Sequence, residues 1–159
     1  MSQRLNYSQL AAASTQKLFE LSAVTKKQSI DAKLLALVEI RASQLNGCTF
    51  CVDMHVKQAK IHEERELRLH HIAVWRESNL FSPKERAALE WTEAVTKLDS
   101  HGISDEIYGR TREFLSEQEL ADLTFILAVI NSWNRLAVSF KSQHGALDQM
   151  MGLTKAGLT

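Results

Sequence analysis

The sequence predicts an all-α fold, and three observations carry that reading. Helix breakers are scarce, with one proline and six glycines in 159 residues. No stretch alternates apolar and polar residues with the period of two that marks a strand. Apolar residues recur instead every three to four positions, behind serines and acids of the kind that open helices.

Taken in order, Tyr7 to Leu21 carries Leu10, Ala11, Leu18, Phe19 and Leu21 at helical spacing, which predicts a first amphipathic helix. Ser29 opens a second, with Ile30, Leu34, Leu37, Val38 and Leu45 on its apolar stripe. Asn46-Gly47 stops it, because both residues tolerate the left-handed conformation that ends helices. A third helix starts at Cys48 and runs through His55 and Ala59 to His62. Glu63-Glu64-Arg65-Glu66 reads as a solvated face that leads into a short helix around Leu69 to Arg76. Ser82-Pro83-Lys84-Glu85 is the clearest helix start: a capping serine, a proline at the first position, and a glutamate that completes a capping box. That helix continues through Trp91 and Val95 to Leu98. Ser104-Asp105-Glu106 opens a short helix with acids where the macrodipole favours them. A second capping box, Ser116 to Glu119, launches Leu120 to Phe140, the most hydrophobic stretch, apolar on nearly every side over Phe125 to Ile130 and hence expected in the core or a subunit interface.

This makes about six to eight helices. With no linker rich in Gly, Ser or Pro, residues 1–159 read as a single domain with its core at about 4–141. The tail at 145–159 is weakly patterned and is expected to fray or to pack on a neighbour.

Nineteen basic and nineteen acidic residues cancel, which excludes the basic footprint of a nucleic-acid binder. Met1 to Tyr7 lacks the apolar run of a secretory signal, and Phe125 to Ile130 is too short to cross a bilayer. The chain therefore reads as cytoplasmic, with no membrane partner. Zero net charge and the apolar surface left over by a thin helical layer favour a homo-oligomer with its active site near a subunit boundary.

The chemistry lies in Cys48-Thr49-Phe50-Cys51-Val52-Asp53-Met54-His55, which holds the only two cysteines. In a reducing compartment such a pair points to redox or metal chemistry, not to a structural staple. On a helix starting near Cys48, the two thiols, Val52 and His55 share one face. A metal would find three ligands in Cys48, Cys51 and His55, with His62 nearby, but a structural zinc site wants a second cysteine or histidine pair. Thiol redox chemistry fits better. A thiolate attacks a peroxide oxygen and becomes a sulfenic acid, the neighbouring thiol condenses with it, and an external reductant reopens the disulfide. His55, one turn beyond Cys51, is placed to handle the thiol proton. The helix dipole by itself favours Cys48 as the thiolate.

The stretch Glu39-Ile40-Arg41-Ala42-Ser43-Gln44-Leu45-Asn46-Gly47-Cys48 through His55 resembles the signature of alkylhydroperoxidase D-like proteins, within the carboxymuconolactone decarboxylase superfamily. The likeness continues through Trp75-Arg76-Glu77, Phe81 to Ala94 and Ile130 to Ala137, and spans roughly Arg4 to Lys141. The resemblance implies an all-helical trimer or hexamer that reduces hydroperoxides without metal, flavin or haem. Electrons would come from a dithiol such as a lipoyl group or a thioredoxin-like protein. It also implies that Cys51 is the sulfenic acid site, Cys48 the resolving thiol and His55 the proton relay. The family's relay glutamate falls at Ala36 here, and Glu39, one turn later, is the candidate replacement. Phe50 stands where some relatives use histidine and can only pack or shield. Other readings are a redox sensor, a general dithiol–disulfide oxidoreductase, and a decarboxylase-type enzyme, against which the dithiol weighs.

Trp75, Trp91 and Trp133 read as core or subunit-contact anchors, and Asn134 and Arg135 as polar groups held in or near the core. His70-His71 point apart on a helix and so share no metal.

Overall fold

Capping side chains set most of the helix boundaries in the computed structural model, which describes residues 2–158. Among these residues are eight α-helices and no strand: α1 (Tyr7–Leu10), α2 (Ala12–Thr25), α3 (Ala32–Leu45), α4 (Thr49–Ile61), α5 (Glu66–His71), α6 (Pro83–Thr96), α7 (Asp105–Arg112) and α8 (Glu117–Phe140). Two 3-10 turns, Ile72–Glu77 and Leu153–Ala156, complete the order. The fold is all-α, as predicted. Both capping boxes form, at Ser82/Glu85 and Ser116/Glu119, and Ser104 caps α7.

Several boundaries differ from the sequence reading. The first helix is two, because Ala11 leaves helical geometry (φ −118°, ψ 48°). The second begins at Ala32, where the Asp31 carboxylate accepts hydrogen bonds from the Lys33 and Leu34 amides at 3.0 Å each. Ser29, expected to open that helix, instead donates its amide (3.1 Å) and hydroxyl (2.6 Å) to Asp122 on α8. The Leu69–Arg76 helix is split between α5 and a 3-10 turn that kinks at Val74 (φ −122°). The segment Glu63 to Glu66 is not simply solvated. Left-handed Glu63 (φ 60°) ends α4, and Glu64 is buried against Arg68 at 2.9 Å, while Arg68 also grips Glu85 at 2.5 Å. Two carboxylates satisfy one buried guanidinium, which a run of four charged residues does not reveal.

Helix α3 is the centre. Leu34, Val38 and Ala42 belong to one cluster with Ala88 and Trp91 of α6 and Leu123, Ile126, Leu127 and Ile130 of α8. Leu37 and Ile40 belong to a second with Ala59, Leu69, Ile72, Trp75, Phe81 and Leu89. A helix that buries two faces fixes everything at its C-terminal end, and each such side chain contributes roughly 1.5–3 kcal/mol of transfer free energy.

Helix α8 is not buried all round. Phe125 and Val138 stand open while Asp122, Asn131 and Asn134 face inward. By length and composition α8 could cross a bilayer, which the short run Phe125 to Ile130 did not suggest. Its inward polar groups are hydrogen-bonded within the fold, the pattern of a core helix. The tail packs on α4 of its own chain, with Leu153 buried, where fraying or contact with a neighbour was expected.

Candidate functional site

The site begins where α3 ends. Asn46 is the C-cap of α3 and Gly47 turns left-handed (φ 65°). A Cβ on Gly47 would meet nothing within 4 Å, so backbone conformation and not space requires glycine there. The Cys48 amide then donates back to Ser43 O at 3.0 Å, and Cys48 becomes the N-cap of α4. Its Sγ accepts the Cys51 amide at 3.3 Å, and Cys48 and Cys51 form a disulfide with Cα atoms 5.4 Å apart.

Asparagines hold this turn against α8. Asn46 Nδ2 donates to Asn131 Oδ1 and Asn134 Oδ1, both at 2.8 Å, and to Ala42 O at 3.0 Å. Asn134, wholly buried, donates to Ser43 Oγ at 3.1 Å. Arg135 Nη1 reaches Asn131 Oδ1 at 3.0 Å. The sequence reading of a polar group in the core holds for Asn134, which fixes the dithiol turn; Arg135 is exposed and only reaches back to Asn131 from the surface.

One turn along α4, His55 is 2% exposed. Its Nδ1 lies 3.1 Å from Glu39 Oε2 and 3.0 Å from Gln58 Oε1. Burial alone would push the Glu39 carboxyl up. The charge and hydrogen bond of His55, with the charge of Lys26, outweigh it and hold Glu39 below its ordinary value. An ionised carboxylate only accepts, so Nδ1 carries a proton, and in the neutral imidazole it is Nε2 that offers the lone pair. Nε2 is buried and has no hydrogen-bond partner among the described residues. Ala36, where the resemblance looked for the acid, brings only a methyl group.

Each cysteine lines a different cavity. Cys51 and His55 line one of about 270 Å³ whose walls are mostly apolar, including Phe19, Met54, Ile130, Trp133 and Met151, with Glu39 and Lys26 among the few polar groups. Cys48 lines another of about 310 Å³, together with Ala137, Lys141, Ser142, Gln143 and His144. Phe50 is the one residue that lines both. A larger surface hollow of about 500 Å³ around Trp75, Arg86 and Arg110 contains neither cysteine.

The structure thus brings together all four residues named from the sequence: Cys48, Cys51, His55 and Glu39. It also shows what sequence reasoning missed. Trp133, read as an anchor, walls the Cys51 cavity and donates to Ser22 Oγ at 2.9 Å. Gln58 shares the His55 proton. Lys57, buried, clamps the tail through Asp148 (2.7 Å) and Asp53 (2.9 Å), and the Gly145 amide donates to Asp53 at 3.0 Å. This puts Leu147 and Met151 over the Cys51 cavity. His71 Nδ1 meets Ser78 Oγ at 3.0 Å while His70 turns toward Glu66, so the paired histidines do part.

Comparison with known proteins places these features in a group. The Carboxymuconolactone decarboxylase family model matches residues 11–94. The uncharacterized protein YdfG of Bacillus subtilis is 40% identical over 139 residues, 87% of this chain and 95% of its own length. A crystal structure from Agrobacterium tumefaciens, of a protein of unknown function offered as a candidate antioxidant defence protein AhpD, superposes with a TM-score of 0.88. It is 35% identical and covers 91% of this chain and 99% of its own. A peroxidase-related protein from Ralstonia eutropha, described as an alkylhydroperoxidase AhpD core, shares the fold at 21% identity (TM-score 0.75; 85% of this chain, 72% of its own).

Proposed function

The chain belongs to the carboxymuconolactone decarboxylase family as an alkylhydroperoxidase D-like member, and from that premise we propose that it is a thiol-dependent peroxidase. The observation that carries the reading is the unpartnered Nε2 of His55 in the cavity lined by Cys51. With Nδ1–H held by Glu39, Nε2 takes the Cys51 thiol proton. The Cys51 thiolate attacks the terminal oxygen of ROOH. The O–O bond breaks, Cys51 becomes a sulfenic acid, and the departing alkoxide collects the proton from His55 to leave as ROH. Cys48, as a thiolate stabilised by the Cys51 amide, then attacks the Cys51 sulfur, and the departing hydroxide takes up the proton that Cys48 released and leaves as water as the disulfide forms. A dithiol, such as a lipoyl group or a thioredoxin-like protein, restores both thiols.

The helix dipole and the amide bond favour a thiolate on Cys48, yet Cys51 is the cysteine that shares a cavity with His55, and the assignment follows the cavity. Its apolar walls suit an alkyl or lipid hydroperoxide. The enzyme would work in the reducing cytoplasm as a trimer or hexamer, and exposed Phe125 and Val138 support a self-associating face of α8.

The test is one equivalent of cumene hydroperoxide added to reduced protein in the presence of dimedone. Cys48→Ser should carry the dimedone adduct on Cys51, and Cys51→Ser should carry none. The wild type should turn over with dithiothreitol. Oxidation without recycling would mean a sensor, and an adduct confined to Cys48 would reverse the roles.

A further inference from the structure

We infer that the cavity lined by Cys48 is a separate reductant port, which takes a dithiol carrying negative charge, while hydroperoxide enters on the Cys51 side. The inference rests on the redox reading of Cys48 and Cys51 above. Both cysteines are 1% exposed, so approach to either runs through the cavity it lines. Of the residues lining the two cavities, Phe50 alone is common to both.

Their chemistry differs. The Cys51 cavity is mostly apolar and sets its basic residues, Lys26 and His55, against the Glu39 carboxylate. The Cys48 cavity has no acidic residue in its lining and carries Lys141 and His144. A cation beside a disulfide favours the thiolate form of an incoming thiol and draws anions toward it. Lys141 is also an unusual residue for its backbone. It caps α8 in the left-handed conformation (φ 54°, ψ 50°), a position that glycine or asparagine ordinarily fills. Strain kept at a pocket wall is a pointer to use, and here the strained residue is a lysine that lines the Cys48 cavity.

The reaction balances through the same geometry. A thiolate of the reductant attacks Cys48 Sγ and breaks the disulfide. Cys51 leaves as a thiolate next to His55, which supplies the environment to protonate it. The second thiol of the reductant then attacks its own sulfur in the mixed disulfide and expels Cys48 as a thiolate, received by the Cys51 amide. The reductant is oxidised to its cyclic disulfide, and its two protons end on Cys48 and Cys51.

Two measurements test this. Disulfide-form protein, prepared with diamide so that no peroxide activity is assumed, is mixed with 2-mercaptoethanesulfonate, quenched in acid with N-ethylmaleimide, and sequenced by mass spectrometry. The mercaptan adduct is expected on Cys48 and the maleimide on Cys51, and the reverse would overturn the port. Single-turnover reduction is then compared for dihydrolipoate and its neutral amide, dihydrolipoamide. At low salt the anion should react at least threefold faster, and Lys141→Glu should abolish or invert that preference while Lys141→Arg keeps it. Equal rates for the two reductants, or a preference untouched in Lys141→Glu, would sink the inference. Failure of peroxide turnover with the adduct still on Cys48 would instead remove the peroxidase reading and leave the port standing.

Discussion

Glu39 illustrates how much can depend on one carboxylate. Because it sits below its ordinary value of 4.5, it stays charged, and holds the His55 proton on Nδ1, at any pH above the usual carboxylate range. Its contribution to the site and to stability is therefore complete above that range and is lost as pH falls through the depressed value. Glu39→Gln should slow oxidation of Cys51 on the order of 100-fold at pH 7, within the span of acid–base contributions. It should also remove the acidic limb of the pH–rate profile that lies below pH 4.5, read by stopped-flow oxidation from pH 7 down through that value. An unchanged limb would show that Glu39 is a bystander. Cys48, Cys51 and His55 were legible in the sequence because their spacing puts them on adjacent turns of one helix. Glu39 could be named but not assigned from sequence, since whether a carboxylate one turn from the expected place reaches an imidazole depends on how two helices pack. Gln58 was invisible, because nothing local distinguishes it from a surface glutamine.

At the scale of elements, the break between α3 and α4 creates the site. Gly47 supplies the turn, and the Asn46–Asn131–Asn134 cluster sets its position against α8. Asn134→Ala would remove one acceptor of half-buried Asn46 and the donor to buried Ser43 Oγ, and should cost about 1–2 kcal/mol in urea denaturation. If the turn is positioned by this cluster, the variant should also lose peroxide reactivity beyond what its folded fraction explains, whereas a purely stabilising role would leave the folded enzyme at full rate. Helices opened by serine with a glutamate three residues on were read correctly because capping is local chemistry. The start of α3 was misplaced because Ser29 spends its hydrogen bonds on Asp122, ninety-three residues away. Glu64 was misread for a similar reason, its charge being answered by Arg68 inside the fold.

For the molecule as a whole, the long-range clamp is Lys57. Asp148 and then Asp53, through their hydrogen bonds, hold its ammonium above the ordinary lysine value of 10.5. That contribution is present below pH 10.5 and lost as pH rises through the raised value. Lys57→Met should release the tail, seen as faster proteolysis within residues 142–158 at pH 7, and the difference from wild type should vanish at strongly alkaline pH. A tail equally protected in both proteins would assign its anchoring to Leu153 alone. The overall all-α architecture was legible from periodicity and caps. The destination of the tail was not, since its weak pattern says nothing of the two carboxylates that meet a buried lysine.

Because Leu147 and Met151, which line the Cys51 cavity, come last in chain order, the dithiol is complete in sequence long before the walls around it are. A nascent chain still lacking that stretch would present naked thiols to any oxidant it met. Selective chemistry would begin only once the polypeptide had emerged far enough for Lys57 to find Asp148.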